Sequence, residues 1–492
     1  MNAPISSLHE VQPALQQAFA LQHQASRAQV EVTLEQRLDR LQRLQKLLHE
    51  HSSTLAAAVQ TDFGLRSVQM TEMADLMVLR TMLAQHIRNL PRWMRAQRVA
   101  TPMHLWPARA RIERQPLGVV GVIAAWNYPL QVALGPAIAA LAAGNRVMLK
   151  PSELTPHTSA QLAQLVGQYF AVDEFCVVQG DAQVASAFAA LPFDHLVFTG
   201  STAIGRKVAQ AAAQNLTPTT LELGGKSPCI LSSDCDLEQA ALRIAHGKLL
   251  NAGQTCIAPD YVLLPQGQEA AFAAAYARAV AQLFPTLAGN PDYAAIISER
   301  HVQRLLELAQ RAQDDGARVQ WLGPDAALPG RISGAPSSMG RGDAEQRQVM
   351  PALVWDVQPR MAIMQEEIFG PLLPVISYAQ LDTIIDTINA GERPLALYWF
   401  GRDAALRDSV LRRTISGGVT INDTLMHVAH DNLPFGGVGA SGSGAYHGEH
   451  GFLRFSHQKA VFLQAKWSPA AWLYPPYGRR FERIMALIQR LH

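Results

Sequence analysis

The chain has 492 residues, of which 48% are hydrophobic and 17% charged, with a formal net charge of +2. That length predicts two or three domains, and that composition reads as a soluble globular enzyme and excludes a disordered or fibrous chain. Near-neutrality excludes the basic footprint of a nucleic-acid binder, since the most basic stretch, Gly478 to Arg483, is only a local patch.

In chain order, Pro13 to Asp62 carries a helical pattern, with Leu34, Leu38, Leu41, Leu44, Leu47 and Leu48 on one face and a stop at Asp62-Phe63-Gly64. A second helix is predicted from Val68 to Leu90, ended or kinked by Pro91. Arg109 to Gln115 alternates and reads as a partly exposed strand. Strands then alternate with helices. Val119–Ala124 leads to a helix ending at Ala143, and Arg146–Lys150 to Pro156–Phe170. Cys176–Gly180 leads to Ala182–Ala190, and His195–Thr199 to a helix ending at Ala213. This pattern predicts a parallel, doubly wound α/β sheet. Helices at Glu269–Leu283 and Glu299–Ala312 imply a second α/β lobe, the two meeting near Glu222 to Cys256. Asp325 to Gln348, rich in Gly, Pro, Ser and charge, reads as a surface excursion. The most apolar stretch, Val119 to Leu149, is interrupted by Asn127, Pro129, Gly135, Pro136, Gly144 and Asn145, so it is a buried core segment rather than a membrane span. Met1 to Ser7 has no basic head and apolar run, so no secretory signal is expected.

The four cysteines, Cys176, Cys229, Cys235 and Cys256, are too sparse for a disulfide scaffold and suit a reducing cytoplasm. His427-x-x-His430 and His447-x-x-His450 do not match His-Glu-x-x-His and have no cysteine nearby, so no metal is expected. Ser441 lies in a glycine-rich loop with no assigned base. Two short stretches carry chemistry: Leu221-Glu222-Leu223-Gly224-Gly225-Lys226 and Gly253-Gln254-Thr255-Cys256. A thiol can attack a carbonyl carbon, and a nearby carboxylate can take a proton from the thiol or from water. Gly200-Ser201-Thr202-Ala203-Ile204-Gly205 follows a strand and opens a helix, where free N–H groups and the dipole suit a phosphate. An ordinary tight strand–helix turn fits the same residues. Lys150-Pro151-Ser152-Glu153 ends another strand, the end that faces the ligand crevice in such sheets.

Together with Trp126-Asn127-Tyr128-Pro129 and Glu366-Glu367-Ile368-Phe369-Gly370-Pro371, these motifs resemble the aldehyde dehydrogenase superfamily over roughly residues 20 to 480. Leu433-Pro434-Phe435-Gly436-Gly437, Gly444-Ala445-Tyr446-His447-Gly448, Phe455-Ser456-His457-Gln458-Lys459 and the tail's Tyr474-Pro475-Pro476-Tyr477 resemble its class 3 branch, and within it the bacterial coniferyl aldehyde dehydrogenases. The resemblance implies Cys256 as nucleophile, Glu222 as the base for water, and Asn127 with the Cys256 amide as oxyanion donors. It gives Lys150 and Glu153 the adenosine ribose, Gly200, Ser201 and Gly205 the pyrophosphate, Glu367 the nicotinamide ribose and Phe369 the nicotinamide. A carboxylate at Glu153 favours NAD, while Lys150 leaves NADP open.

The resemblance further implies three parts and a homodimer. Residues 1–97 and 117–225 would bind cofactor and 226–444 would be catalytic. Residues 98–116 and 456–465 would form an arm pairing across subunits, and 466–492 a tail whose prolines and basic end prevent it from spanning a membrane. The walls expected around the substrate, Trp126 to Leu134 and Asn422 to Phe435, hold no Lys or Arg, so an apolar aldehyde, aromatic or medium-chain, is expected, with a coniferyl-type cinnamic aldehyde as the specific case. Two alternatives stay open: a CoA-acylating or phosphate-linked enzyme, disfavoured by Glu222, and a catalytically idle binding protein on the same fold.

Overall fold

The computed structural model describes residues 8–323, 330 and 347–491; the Asp325 to Gln348 excursion, apart from Gly330, Arg347 and Gln348, lies outside them. Sixteen described strands form three sheets. They are β1 (Gln97–Val99), β2 (Arg109–Pro116), β3 (Val119–Ile123), β4 (Arg146–Lys150), β5 (Phe175–Val177), β6 (His195–Thr199), β7 (Thr219–Glu222) and β8 (Pro228–Leu231). Next come β9 (Tyr261–Pro265), β10 (Arg318–Trp321), β11 (Ala352–Trp355), β12 (Leu372–Tyr378), β13 (Ala396–Phe400), β14 (Gly418–Ile421), β15 (Gly442–Ser443) and β16 (Ser456–Leu463).

The first α/β sheet has the order β15-β7-β6-β3-β4-β5, parallel except at the short β15–β7 pair. Its strands β3 and β4 are buried at every position, which is why they read as unbroken apolar runs rather than alternating ones. The strand order reverses between β3 and β6, and a ligand crevice opens outside the carboxyl ends of strands at such a point. The second sheet has the order β10-β11-β12-β9-β8-β13-β14, parallel except for β10. β1, β2 and β16 form a separate antiparallel sheet, in which β2 and β16 pair over eight residues each.

Two helical readings change. The run from Pro13 to Asp62 is three helices, Leu8–Ala28, Leu34–Glu50 and Ser52–Phe63. The first break is made by Thr33, whose hydroxyl accepts from the Gln36 amide while Gln36 caps the Thr33 amide in return. Pro91 does not end its helix, which continues to Trp93 and closes with the Met94 amide on the Leu90 carbonyl, so the ring costs one bond within a last turn that is ending anyway. At the other end of this helical region, a single π turn, Glu72–Leu76, carries Asp75 into the interior.

Asn145, which interrupts the apolar sequence, joins three elements. Its Oδ1 accepts from the Leu117 and Gly118 amides at 2.7 and 2.9 Å, ahead of β3. Its Nδ2 donates to the Ala140 and Phe455 carbonyls at 3.1 and 2.8 Å, the second just before β16. No described helix is long and apolar enough to cross a membrane. Asn145→Ala would leave the buried Gly118 amide and Phe455 carbonyl without this partner, at about 1–3 kcal/mol for each that finds no water, while the Ala140 carbonyl keeps the backbone N–H of residue 145. Urea unfolding should show a midpoint lowered by the equivalent of about 2–4 kcal/mol; an unchanged midpoint would contradict this role for Asn145.

Candidate active site

A cavity of about 2030 Å³ runs along the carboxyl ends of the first sheet and under the second. The residues after β3 (Trp126, Asn127), after β4 (Ser152, Glu153), after β6 (Gly200, Ser201) and at the end of β7 (Glu222) all border it, as do Lys150, Cys256, Glu367 and Phe369. Of the predicted catalytic and cofactor-binding residues, Gly205 alone does not. It is buried in the first turn of helix Thr202–Ala213, where an added Cβ would lie 2.6 Å from the Leu223 side chain, so it serves helix–sheet packing. Ser201 caps that helix, its hydroxyl accepting from the Ile204 amide at 3.4 Å. Leu130, Leu134 and Leu433 likewise lie off the cavity wall.

Cys256 follows a turn of unusual backbone. Asn251 and Ala252 have φ of 52° and 53°, and Gly253 has φ 80° with the Gly370 carbonyl where a side chain would stand. That contact ties the cysteine loop to the Glu366–Pro371 loop. Burial, followed by the Glu367 and Glu222 carboxylates, pushes the Cys256 thiol up to about 12, while the backbone amides of Cys256 and Ile257 oppose the rise. Glu222 is 3% exposed, and among the described residues neither carboxylate oxygen has a hydrogen-bond partner. Burial alone raises its pKa well above the usual carboxylate range. A buried carboxyl with both oxygens free is costly unless something occupies the space before it.

Asn127 donates from Nδ2 to the Gln254 carbonyl at 3.1 Å, and its own carbonyl accepts from Arg66 at 2.7 Å and from Asn251 at 3.0 Å. Arg66 is fully buried, ion-paired at 2.7 Å with equally buried Asp75, and stacked near the Phe63 and Tyr128 rings. Asp75 Oδ1 accepts from the Leu130 and Gln131 amides at 3.2 and 3.0 Å, the start of the helix that follows Asn127. Sequence reasoning missed this pair. Arg66 follows a helix stop and Asp75 lies on a helical face, where charge ordinarily means solvent.

The other half of the cavity fits a dinucleotide. Lys150, 1% exposed, pairs with Glu153 at 3.0 Å. Across from them a helix begins behind Gly200 and Ser201, while Ala182, Ala185, Ser186 and Ala189 keep the opposite wall shallow. Gly224 leaves room for the Glu367 carboxylate, which burial raises to about 8. The Glu367 loop is clamped from behind: Arg304 donates to the Glu367 and Ile368 carbonyls, and Asp260, paired with Lys226, accepts from the Ile368 amide at 3.0 Å. Phe369, at φ 49°, sets its ring edge-on to Trp126 with centroids 5.4 Å apart. Much of the remaining wall is apolar, with Met73, Met77, Leu250, Leu425, Met426 and Phe435. Met73, Met77, Leu250 and the imidazole of His246 in this wall were not singled out in the sequence, because each reads as an ordinary helix-face residue.

Asp75→Ala would leave the Arg66 cation buried without a counter-ion, at about 3–5 kcal/mol, and would free the Asn127 loop. Both the urea midpoint and turnover should fall. Adding Arg66→Met should restore much of the stability but not the turnover; full recovery of turnover would show that the pair does not position Asn127.

A family model described as "Aldehyde dehydrogenase family" matches residues 3–461. A probable coniferyl aldehyde dehydrogenase of Pseudomonas aeruginosa is 45% identical over 99% of both chains, and a coniferyl aldehyde dehydrogenase of Pseudomonas sp. strain HR199 is 45% identical over 92% of both. Aldehyde dehydrogenase family 3 member A2 of Macaca fascicularis is 39% identical over 87% of this chain and 84% of its own. A solved structure of the substrate-bound state of Staphylococcus aureus AldH superposes with a TM-score of 0.87 at 34% identity, covering 96% of this chain and 99% of that one. An aldehyde dehydrogenase of Mycobacterium tuberculosis complexed with NAD+ gives 0.81 at 27% identity, covering 95% and 92%. A catalytic-type thiol and a free buried carboxyl on one cavity, the doubly wound sheet and these full-length matches agree: the chain belongs to the aldehyde dehydrogenase family.

Proposed function

We propose that this aldehyde dehydrogenase oxidises apolar aldehydes, coniferyl-type aromatic ones foremost, to carboxylic acids through a thioester on Cys256. The observation that carries the reading is Glu222: a buried carboxyl with both oxygens free, bordering the same cavity as the Cys256 sulfur. In this account the Cys256 thiolate adds to the aldehyde carbon. Asn127 Nδ2 and the Cys256 amide receive the oxyanion, a contribution of about 3 kcal/mol per donor. The nicotinamide of a bound dinucleotide supplies the acceptor for the hydride. Glu222 then takes a proton from water, the water attacks the thioester, the C–S bond breaks and the thiol regains its proton as the acid leaves. A thiol at about 12 is a poor nucleophile at neutral pH. Keeping Glu222 in its neutral acid form lowers the repulsion the sulfur would otherwise meet, and the Cys256 and Ile257 amides stabilise its charge.

Lys150, Glu153, Gly200, Ser201, Glu367 and Phe369 would hold the dinucleotide, the Lys150–Glu153 pair meeting the adenosine ribose. A Glu153 carboxylate repels a 2′-phosphate, which favours NAD over NADP. The apolar wall favours hydrocarbon at about 25 cal/mol per Å² buried, while a dicarboxylic semialdehyde would find no fixed cation there. A CoA-acylating enzyme would have no use for a base aimed at water, so Glu222 favours hydrolysis. A homodimer and a cytoplasmic setting complete the reading. The antiparallel sheet and tail expose Val99, Met103, Trp106, Phe462 and Leu463, together with Trp467, Tyr474 and Tyr477, an apolar strip that a second copy would cover.

Values of kcat/KM for a panel of aldehydes test the substrate class: cinnamaldehyde, benzaldehyde and hexanal should exceed succinic semialdehyde, and the reverse order would refute it. Glu222→Gln should give a burst of NADH followed by a very slow steady rate; loss of the burst would assign Glu222 to thiol activation as well. Because burial raises the Glu222 pKa, its base form appears only as pH rises, so wild-type thioester hydrolysis should climb with pH above the usual carboxylate range, and a flat profile would contradict the assignment. Glu153→Gln should raise NADP use relative to NAD by roughly tenfold, equivalent to about one pKa unit of charge repulsion removed; an unchanged ratio would mean that Glu153 does not face the ribose.

A further inference from the structure

We propose that His246 reads a hydrogen-bonding group at the far end of the aldehyde, making the enzyme select phenolic over unsubstituted aromatic substrates. This rests on the substrate reading above and names a residue for it. His246 stands in the last turn of helix Leu237–Leu249, lines the cavity and is exposed. Packing fixes its place. At Gly247, next in the helix, the Thr424 side chain occupies the space of a Cβ. The Thr424 hydroxyl donates to the Arg243 carbonyl at 3.0 Å, and the Arg243 guanidinium donates to the Asn422 carbonyl. This last turn is therefore seated against the loop that continues into Leu425, Met426 and Val428, the apolar wall of the cavity. On its other side, the chain runs from Leu250 to Cys256, so imidazole and thiol border the same channel.

Three other polar side chains of this half are already engaged. Tyr128 and Thr255 share a hydrogen bond of 2.6 Å, and Asn127 donates to Gln254. Among the described residues the His246 ring has no partner, and the same holds for the Gln131 side-chain amide. Both border the cavity, but Gln131 is half-buried at the start of the helix after Asn127, whereas His246 is exposed. An imidazole can accept from a phenol or donate to its oxygen, whichever nitrogen carries the proton. One such bond, partly solvated, is worth about threefold to tenfold in selectivity.

The test compares kcat/KM for 4-hydroxycinnamaldehyde and cinnamaldehyde in the full-length enzyme and in His246→Phe, His246→Gln and Gln131→Leu. Wild type should favour the phenol about threefold to tenfold, mostly through KM. His246→Phe should bring the ratio near one by loss on the phenol, and His246→Gln should keep part of it. An unchanged ratio in His246→Phe, or its loss in Gln131→Leu instead, would overturn the proposal. If wild type oxidises neither aldehyde, the substrate reading itself fails; if it oxidises both without His246 mattering, only the present inference does.

Discussion

Arg66 and Asp75 form an ion pair with no solvent contact, and the loops of the active site are arranged around it. One guanidinium nitrogen meets the Asp75 carboxylate and another the Asn127 carbonyl, beside which Asn251 also donates. The second carboxylate oxygen starts the helix after Asn127 by accepting two of its free amides. Segments from an N-terminal helix, the end of β3 and the turn before Cys256 thus share one buried charge pair. Such a pair contributes little net stability compared with apolar packing, but removing either partner is expensive. That asymmetry holds the Asn127 segment and the turn before Cys256 in a fixed relation.

Desolvation then sets the chemistry of the cavity. The same burial that leaves Glu222 without a partner raises its pKa, and the same burial raises the Cys256 thiol. The two effects are coupled, since each negative charge opposes the other. In the proposed mechanism Glu222 would be neutral while the sulfur is charged, and charged once the sulfur is bound in a thioester. Glu367, raised to about 8, adds to this balance from the cofactor half.

The alternation of strands and helices was legible because β3 and β4 are buried on both faces and the helices between strands are short and bounded by Gly, Pro or polar caps. The chemically distinctive residues were legible too: Cys256, Glu222, Asn127, Lys150, Glu153 and Glu367 all border one cavity. What escaped was set by contacts remote in sequence. Arg66 meets Asn127 across 61 positions and approaches Asn251 across 185. Asn145 looked like an interruption of an apolar run, yet it satisfies the chain on both sides of the junction with the antiparallel sheet. Gly205 sits in a phosphate-loop pattern, but the Leu223 side chain explains it. The helical run from Pro13 to Asp62 hid its first break because a Thr33–Gln36 capping box has no apolar signature.

The central claim is a covalent acyl enzyme on Cys256. Rapid acid quench of Glu222→Gln mixed with cinnamaldehyde and NAD, followed by peptide mapping in a mass spectrometer, tests it directly. The account predicts a cinnamoyl group on the peptide containing Cys256, close to one per chain and absent without NAD. Product formation with no acyl group on Cys256, or an acyl group on Cys235 or Cys176 instead, would contradict it.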